Sequence, residues 1–239
     1  MKKLVIITGA SSGIGKMLAI SFAQAGHPLL LLARRKELMD ELKLENALCE
    51  SVDVTKVDEV KQAIQKAQDK YGKADLLINC AGLMQLGYPQ QQAYSEWEAM
   101  IDVNIKGVLT TTHAVLPEMV ARNEGTIINI SSIAGFKTFN NHAVYCGSKY
   151  AVHAITESMR KEVANSKVRM ILISPGVVET PLLSHTTQED IKNDYNEWKK
   201  QIAGGLDAQK IVECVMFAYR MPQDVCVREI VIAKTRQED

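Results

Sequence analysis

Leu4-Val5-Ile6-Ile7-Thr8 runs directly into Gly9-Ala10-Ser11-Ser12-Gly13-Ile14-Gly15, and this junction decides the fold. The apolar, β-branched run reads as a buried strand, and residues 14–25 read as the helix that follows it. Glycine at G-x-x-x-G-x-G spacing lets the chain turn sharply, lets its backbone approach a pyrophosphate and lets the helix sit close to the strand. The helix N-terminus adds unpaired N–H groups and a partial positive charge. The spacing departs from G-x-G-x-x-G, and no Gly-Lys-Ser/Thr follows, which excludes a P-loop. Gly9, Ser11, Ser12, Gly13, Ile14 and Gly15 are therefore expected to meet the phosphates of a dinucleotide.

The same rhythm continues outward. Apolar runs recur at PLLLLA (28–33), ALCESVD (47–53), DLLIN (75–79), GTIINIS (125–131), VRMILIS (168–174) and VREIVIA (227–233). Helical patterns fill 35–44, 57–71, 94–122 (one or two helices), 142–165 and 208–219. Continuous apolar strands separated by helices indicate a parallel sheet covered on both faces. The expected fold is α/β: a single-domain Rossmann fold over residues 1–239, with a doubly wound, seven-stranded parallel sheet flanked by helices on both faces. Residues 177–206 break the rhythm with a polar stretch that is long for a connection, and they read as a substrate lid.

Composition bounds the function. The 239 residues are 46% hydrophobic and 23% charged, enough for a core without disulfides or metal. The formal net charge is zero, so there is no broad basic surface for nucleic acid or anionic lipid. Five scattered cysteines with no CxxC pair read as reduced thiols packing as small hydrophobes, with Cys146 beside Tyr145 the one position where redox sensitivity is of interest. The apolar run 4–7 is too short for a secretory segment and none spans a membrane, so a cytoplasmic location is expected. His27, His113, His142, His153 and His185 lack metal-ligand spacing, and no metal is expected. His142 and His185 read as solvated loop residues.

Ala33-Arg34-Arg35 ends the second strand without an acid, and arginine there suits a ribose 2′-phosphate, favouring NADP(H) over NAD(H). Tyr145 and Lys149 share one helical face at i, i+4 spacing. A carbonyl receiving hydride needs a proton; tyrosine can give one, but its ordinary pKa near 10 requires a nearby ammonium to bring it down. Ser132 follows the preceding strand, at the carboxyl edge of the sheet where ligands of parallel sheets bind.

TGASSGIG (8–15), NCAG (79–82), Asn104, ISSIAG (130–135), YCGSK (145–149) and SPGVVETP (174–181) together resemble the short-chain dehydrogenase/reductase family over essentially the whole chain. The resemblance implies Tyr145 as general acid/base, Lys149 as the group that lowers its pKa and binds the nicotinamide ribose, and Ser132 as the polariser of the substrate oxygen. It implies that Asn104 holds a water in a proton relay through Lys149, and that Asp53 and Val54 meet the adenine. It further implies that Asn79, Ala81 and Gly82 line the cofactor cleft and that Pro175, Gly176, Val178 and Thr180 cover the nicotinamide. Ser132, Ala134, Tyr145 and Leu182 are the implied substrate contacts. Cys80 departs from the family's usual asparagine, and Ser12 is not the basic residue of one NADP-preferring subgroup, which leaves cofactor choice to Arg34 and Arg35.

ARR at 33–35 and the C-terminal VCVREIVIAKT are similar to broad-specificity bacterial enzymes acting on 3-hydroxy acids, small ketones and aldehydes. The implied activity is reversible hydride transfer between NADP(H) and a small carbonyl or secondary alcohol, a carbonyl reductase acting as a homo-oligomer (tetramer, or dimer). The alternatives are a 3-ketoacyl thioester reductase, against which the chain lacks a glycine-rich C-terminal ending, and a non-catalytic NADP-binding regulator, against which both Tyr145 and Lys149 stand. Leu83, Met84, Leu86 and Ile133 suggest an apolar pocket floor, Tyr195 and Trp198 its closure, and Lys137 or Arg228 a carboxylate clamp.

Overall fold

In the computed structural model, which describes residues 2–238, the apolar runs form strands and the patterned stretches between them form helices. β1 (Leu4–Thr8) leads to α1 (Gly13–Gln24), β2 (Leu29–Ala33) to α2 (Lys36–Asp40), and β3 (Ala47–Ser51) to α3 (Val57–Tyr71). β4 (Ala74–Asn79) precedes α4 (Tyr94–Ile101), a π turn (Asp102–Lys106) and α5 (Gly107–Ala121). β5 (Gly125–Ile130) precedes α6 (Ala143–Glu162), β6 (Val168–Pro175) precedes α7 (Glu189–Gln201) and α8 (Ala208–Arg220), and β7 (Glu229–Ile232) completes the sheet.

The strand order is β3-β2-β1-β4-β5-β6-β7, with every pair parallel. The order reverses between β1 and β4, the point where a doubly wound sheet opens a crevice at its carboxyl edge. Alternation along each strand divides the core in two. Val5, Ile7, Leu29, Leu31, Leu76 and Ile78 face α1 and α8, whereas Leu4, Ile6, Leu30, Leu32 and Leu77 face α3 and α5. Both strand faces are buried, which is why these runs are apolar throughout.

Two stretches differ from expectation. The helix expected at 35–44 is only α2, because Lys43 and Asn46 take positive φ (48° and 54°), which no helix accommodates. The supposed connection 177–206 contains a 3₁₀ turn (Pro181–His185) and the thirteen-residue α7. Ile191, Tyr195 and Trp198 recur at i, i+4 and i+7, so the apolar face was present in the sequence beneath a predominantly charged composition.

Arg169, buried on β6, gathers the end of α8. Its guanidinium donates to the carbonyls of Met221 (2.8 Å), Tyr219 (2.9 Å) and Ala218 (3.3 Å), and to Thr126 Oγ1. These are carbonyls that a helix end leaves unpaired. Arg169→Met keeps much of the volume but orphans them, and is expected to lower stability by about 2–4 kcal/mol in urea denaturation.

Candidate active site

Gly9 adopts φ 66°, and a Cβ built on Gly15 would lie 2.3 Å from the Gly9 carbonyl oxygen, so α1 begins where only glycine fits. Thr8 Oγ1 accepts from the backbone N–H groups of Cys80 and Ala81, each at 3.0 Å, and ties the end of β1 to the end of β4. The cleft of about 730 Å³ opens at this junction. Ser12, the N-terminal boundary of α1, makes no side-chain cap, and the Arg35 guanidinium donates to Ser11 and Ser12 hydroxyls at 3.3 Å each. Arg34 and Arg35 are exposed at the rim of the cleft. Asp53 accepts from the Thr55 N–H (2.9 Å) and hydroxyl (2.8 Å). Burial opposes its ionisation, but these bonds and the nearby Arg34 charge hold its carboxyl below the usual range.

The expected cofactor contacts Gly9, Ser11, Ser12, Gly13, Ile14 and Gly15 line one end of this cleft, with Arg34, Arg35, Asp53, Val54, Ala81 and Gly82. Pro175, Gly176, Val178 and Thr180 line the cleft too, and the Thr180 side chain sits 3.2 Å from where a Gly13 Cβ would be. The glycine cradle, the open start of α1 and the two arginines fit a phosphorylated dinucleotide. Asn79 does not reach the cleft. It is buried, accepting from the Thr111 hydroxyl (2.6 Å) and donating to Asn129 Oδ1 (2.8 Å), because side chains alternate along β4 and this one faces inward.

Ser132, Ala134, Tyr145, Lys149 and Leu182 meet at the other end. Ser132 follows β5, and its Oγ accepts from the Ala134 N–H at 3.1 Å. Tyr145 and Lys149 stand one turn apart on α6, each only 6% exposed, with the ammonium 5.7 Å from the Tyr145 ring centroid. Lys149 Nζ donates to the Ile130 carbonyl at 3.1 Å. Burial brings Lys149 down to about 8, opposed by the nearby Cys80 thiol. Burial also drives the Tyr145 phenol well above its ordinary value, and the Ser132 hydroxyl opposes that rise. Cys80 itself is pushed up to about 12 by burial, and Cys146 is raised by the same cause, so neither thiol is activated.

Asn104 lies in the π turn rather than on the cleft wall. Its Oδ1 accepts from the Leu83 N–H (2.8 Å), and its Nδ2 donates to the Leu83 carbonyl and the Ser148 hydroxyl (2.9 Å each). Local widening of the helix turns this side chain toward the segment after β4.

His142 and His185, expected as solvated loop residues, line the cleft instead, and Trp198 lines it as expected. His142 packs its ring 6.2 Å from both Tyr145 and Tyr195, and Phe139 and Ile191, not singled out from the sequence, line the cleft as well. The pKa of His185 is lowered by burial and by Arg34 and Arg35, and the Leu182 backbone opposes that shift. The three-residue spacing of Phe139, His142 and Tyr145 was a usable signal for one of these positions. Lys137 and Arg228, the clamp candidates, do not line the cleft.

Residues 3–191 match the family model described as short chain dehydrogenase. The chain belongs to the short chain dehydrogenase family. An uncharacterised oxidoreductase of Staphylococcus saprophyticus is 40% identical over 241 residues, spanning 98% of this chain and 97% of the relative. A closed form of serine dehydrogenase complexed with NADP⁺ superposes with a TM-score of 0.90 at 30% identity, covering 99% of this chain and 96% of that one. The 3-ketoacyl-(acyl-carrier-protein) reductase of Brucella melitensis, complexed with NADH, gives 0.85 at 26% identity over 98% of each chain. As a short chain dehydrogenase, the protein is an oxidoreductase.

The lysine carries a stability signature. With a folded pKa near 8 against an ordinary 10.5, Lys149 is neutral in the folded, cofactor-free protein between those values while the unfolded chain stays protonated. Its contribution to stability therefore rises with pH across that window. Wild-type stability is expected to gain on Lys149→Met from pH 8 to 10.5, by up to about 3 kcal/mol in paired denaturant titrations. A constant difference between the two would contradict the buried, depressed ammonium.

Proposed function

We propose that this oxidoreductase transfers hydride reversibly between NADP(H) and a small ketone or aldehyde, the product being the secondary or primary alcohol. The observation that carries this reading is the convergence of Ser132, Tyr145 and Lys149 at one end of a cleft whose other end is the glycine cradle and the Arg34–Arg35 pair. A nicotinamide cofactor held by the glycine cradle and the Arg34–Arg35 pair would supply the hydride that forms the new C–H bond as the carbonyl π bond breaks. Tyr145 gives its phenolic proton to the carbonyl oxygen, and Ser132 donates a hydrogen bond to the charge developing there. Lys149, oriented by the Ile130 carbonyl, offsets the phenolate left behind. Asn104 serves from behind, fixing Leu83 and Ser148 and supporting the proton path through Lys149.

Cofactor choice rests on the arginine pair beside the glycine turn and on the NADP⁺-bound relative. Residues 177–206 serve as the lid of one domain covering 1–239, and we place the enzyme in the cytoplasm. Exposed Ile101, Val120 and Tyr150 on α4, α5 and α6 suit a homotetramer or dimer. The similarity to an acyl-carrier-protein reductase favours thioesters as a second substrate class. A purely regulatory NADP-binding role is disfavoured by the assembled trio.

Tyr145→Phe is expected to cut turnover by roughly 10²–10⁴ in an NADPH-oxidation screen over carbonyls, with NADPH binding retained. Retained activity would remove Tyr145 as the acid. Replacing Arg34 and Arg35 with alanine is expected to weaken NADPH binding by about 10–100-fold while leaving NADH nearly unchanged, measured by fluorescence titration. Equal losses for both cofactors would refute recognition of the 2′-phosphate.

A further inference from the structure

The substrate end of the cleft is walled by rings. Phe139 and His142 stand 5.6 Å apart between centroids, His142 and Tyr195 6.2 Å apart at 35°, and Tyr195 and Trp198 5.4 Å apart. Met84, Ala134 and Ile191 line the cleft in the same buried cluster as Tyr145 and extend the apolar wall, whereas Leu86, expected at the pocket floor, is fully buried behind it. A ligand group placed against this wall meets polarisable ring faces and methyl groups.

Charge at this end is equally telling. Among the described residues, the lysines and arginines lining the cleft are Arg34, Arg35, Lys149 and Lys199. Arg35 donates to Ser11 and Ser12 at the glycine turn with Arg34 beside it near Asp53, Lys149 donates a hydrogen bond to the Ile130 carbonyl at 3.1 Å, and Lys199 is paired with Glu179 at 2.9 Å. His185 is grouped electrostatically with the arginines. His142 places Nδ1 2.6 Å from the Asn140 carbonyl, the geometry of a donating Nδ1–H with Nε2 left as an acceptor in the neutral ring. Burial lowers its pKa and favours that neutral form. The acidic Asp194 also lines the cleft. A substrate carboxylate would be desolvated here without an ionic partner, which is costly.

We propose that the preferred substrates are neutral ketones or aldehydes carrying a planar aromatic or conjugated group, stacked against His142 and Tyr195, rather than 3-oxo or 3-hydroxy acids. This narrows the substrate class and rests on the carbonyl reductase activity proposed above. The carbonyl oxygen faces Ser132 and Tyr145 while the planar group lies toward α7.

The test compares kcat/KM with NADPH for acetophenone, cyclohexyl methyl ketone and acetoacetate. Acetophenone is expected to exceed the cyclohexyl ketone by about 3–10-fold, the worth of an aromatic contact beyond area, and to exceed acetoacetate by more. Tyr195→Ala is expected to erase the preference for the aryl over the cyclohexyl ketone, largely through KM, and Tyr195→Phe to keep it. Acetoacetate or the cyclohexyl ketone used as well as acetophenone by the wild type would overturn the inference, as would a preference that survives Tyr195→Ala. Turnover of none of the three, nor of any wider carbonyl panel with either nicotinamide cofactor, would instead overturn the proposed activity itself.

Discussion

A Cβ at Gly9 would meet the Ala81 backbone at 2.8 Å, and one at Gly15 would meet the Gly9 carbonyl oxygen at 2.3 Å. This close approach of the β1–α1 turn to the end of β4 lets α1 start directly at the strand edge. Thr8 holds the same junction through two backbone N–H groups. The reversal of strand order between β1 and β4 then opens a crevice there, and the start of α1 points into it. Displacing the turn by the width of a methyl group would separate the arginines, the helix start and the β4 segment that form one wall.

The other end of the cleft depends on burial. α6 is amphipathic, and the face carrying Tyr145 and Lys149 turns inward against β5, the 3₁₀ turn after Ser132 and the apolar cluster around Met84 and Ile191. Exclusion of water raises the phenol and depresses the ammonium, so burial disfavours the charged form of each. The same dryness strengthens any charge interaction formed when the site is filled. One physical condition thus underlies both the proposed proton chemistry and the proposed preference for an uncharged substrate group.

The sheet was legible because strands buried on both faces must be apolar end to end, a pattern few other structures produce. The glycine turn and the Tyr145–Lys149 pair were legible because local geometry sets the spacing of each. Asn79 was misplaced because the strand period decides inside from outside, and its last residue lies where either outcome satisfies the motif. The missed α7 has the opposite cause. Its apolar residues are few, and its charged face dominated the composition of the stretch.

The sequence by itself determined the fold class, the dinucleotide turn and the three residue types suited to proton transfer, since each follows from short-range periodicity or steric need. Only the tertiary structure decided what surrounds them. It brought His142 from the start of α6 against Tyr195 from α7, kept Lys137 and Arg228 away from the cleft, and tied Lys199 to Glu179. These are contacts between distant segments, set by how helices pack on the sheet, and no local pattern encodes them.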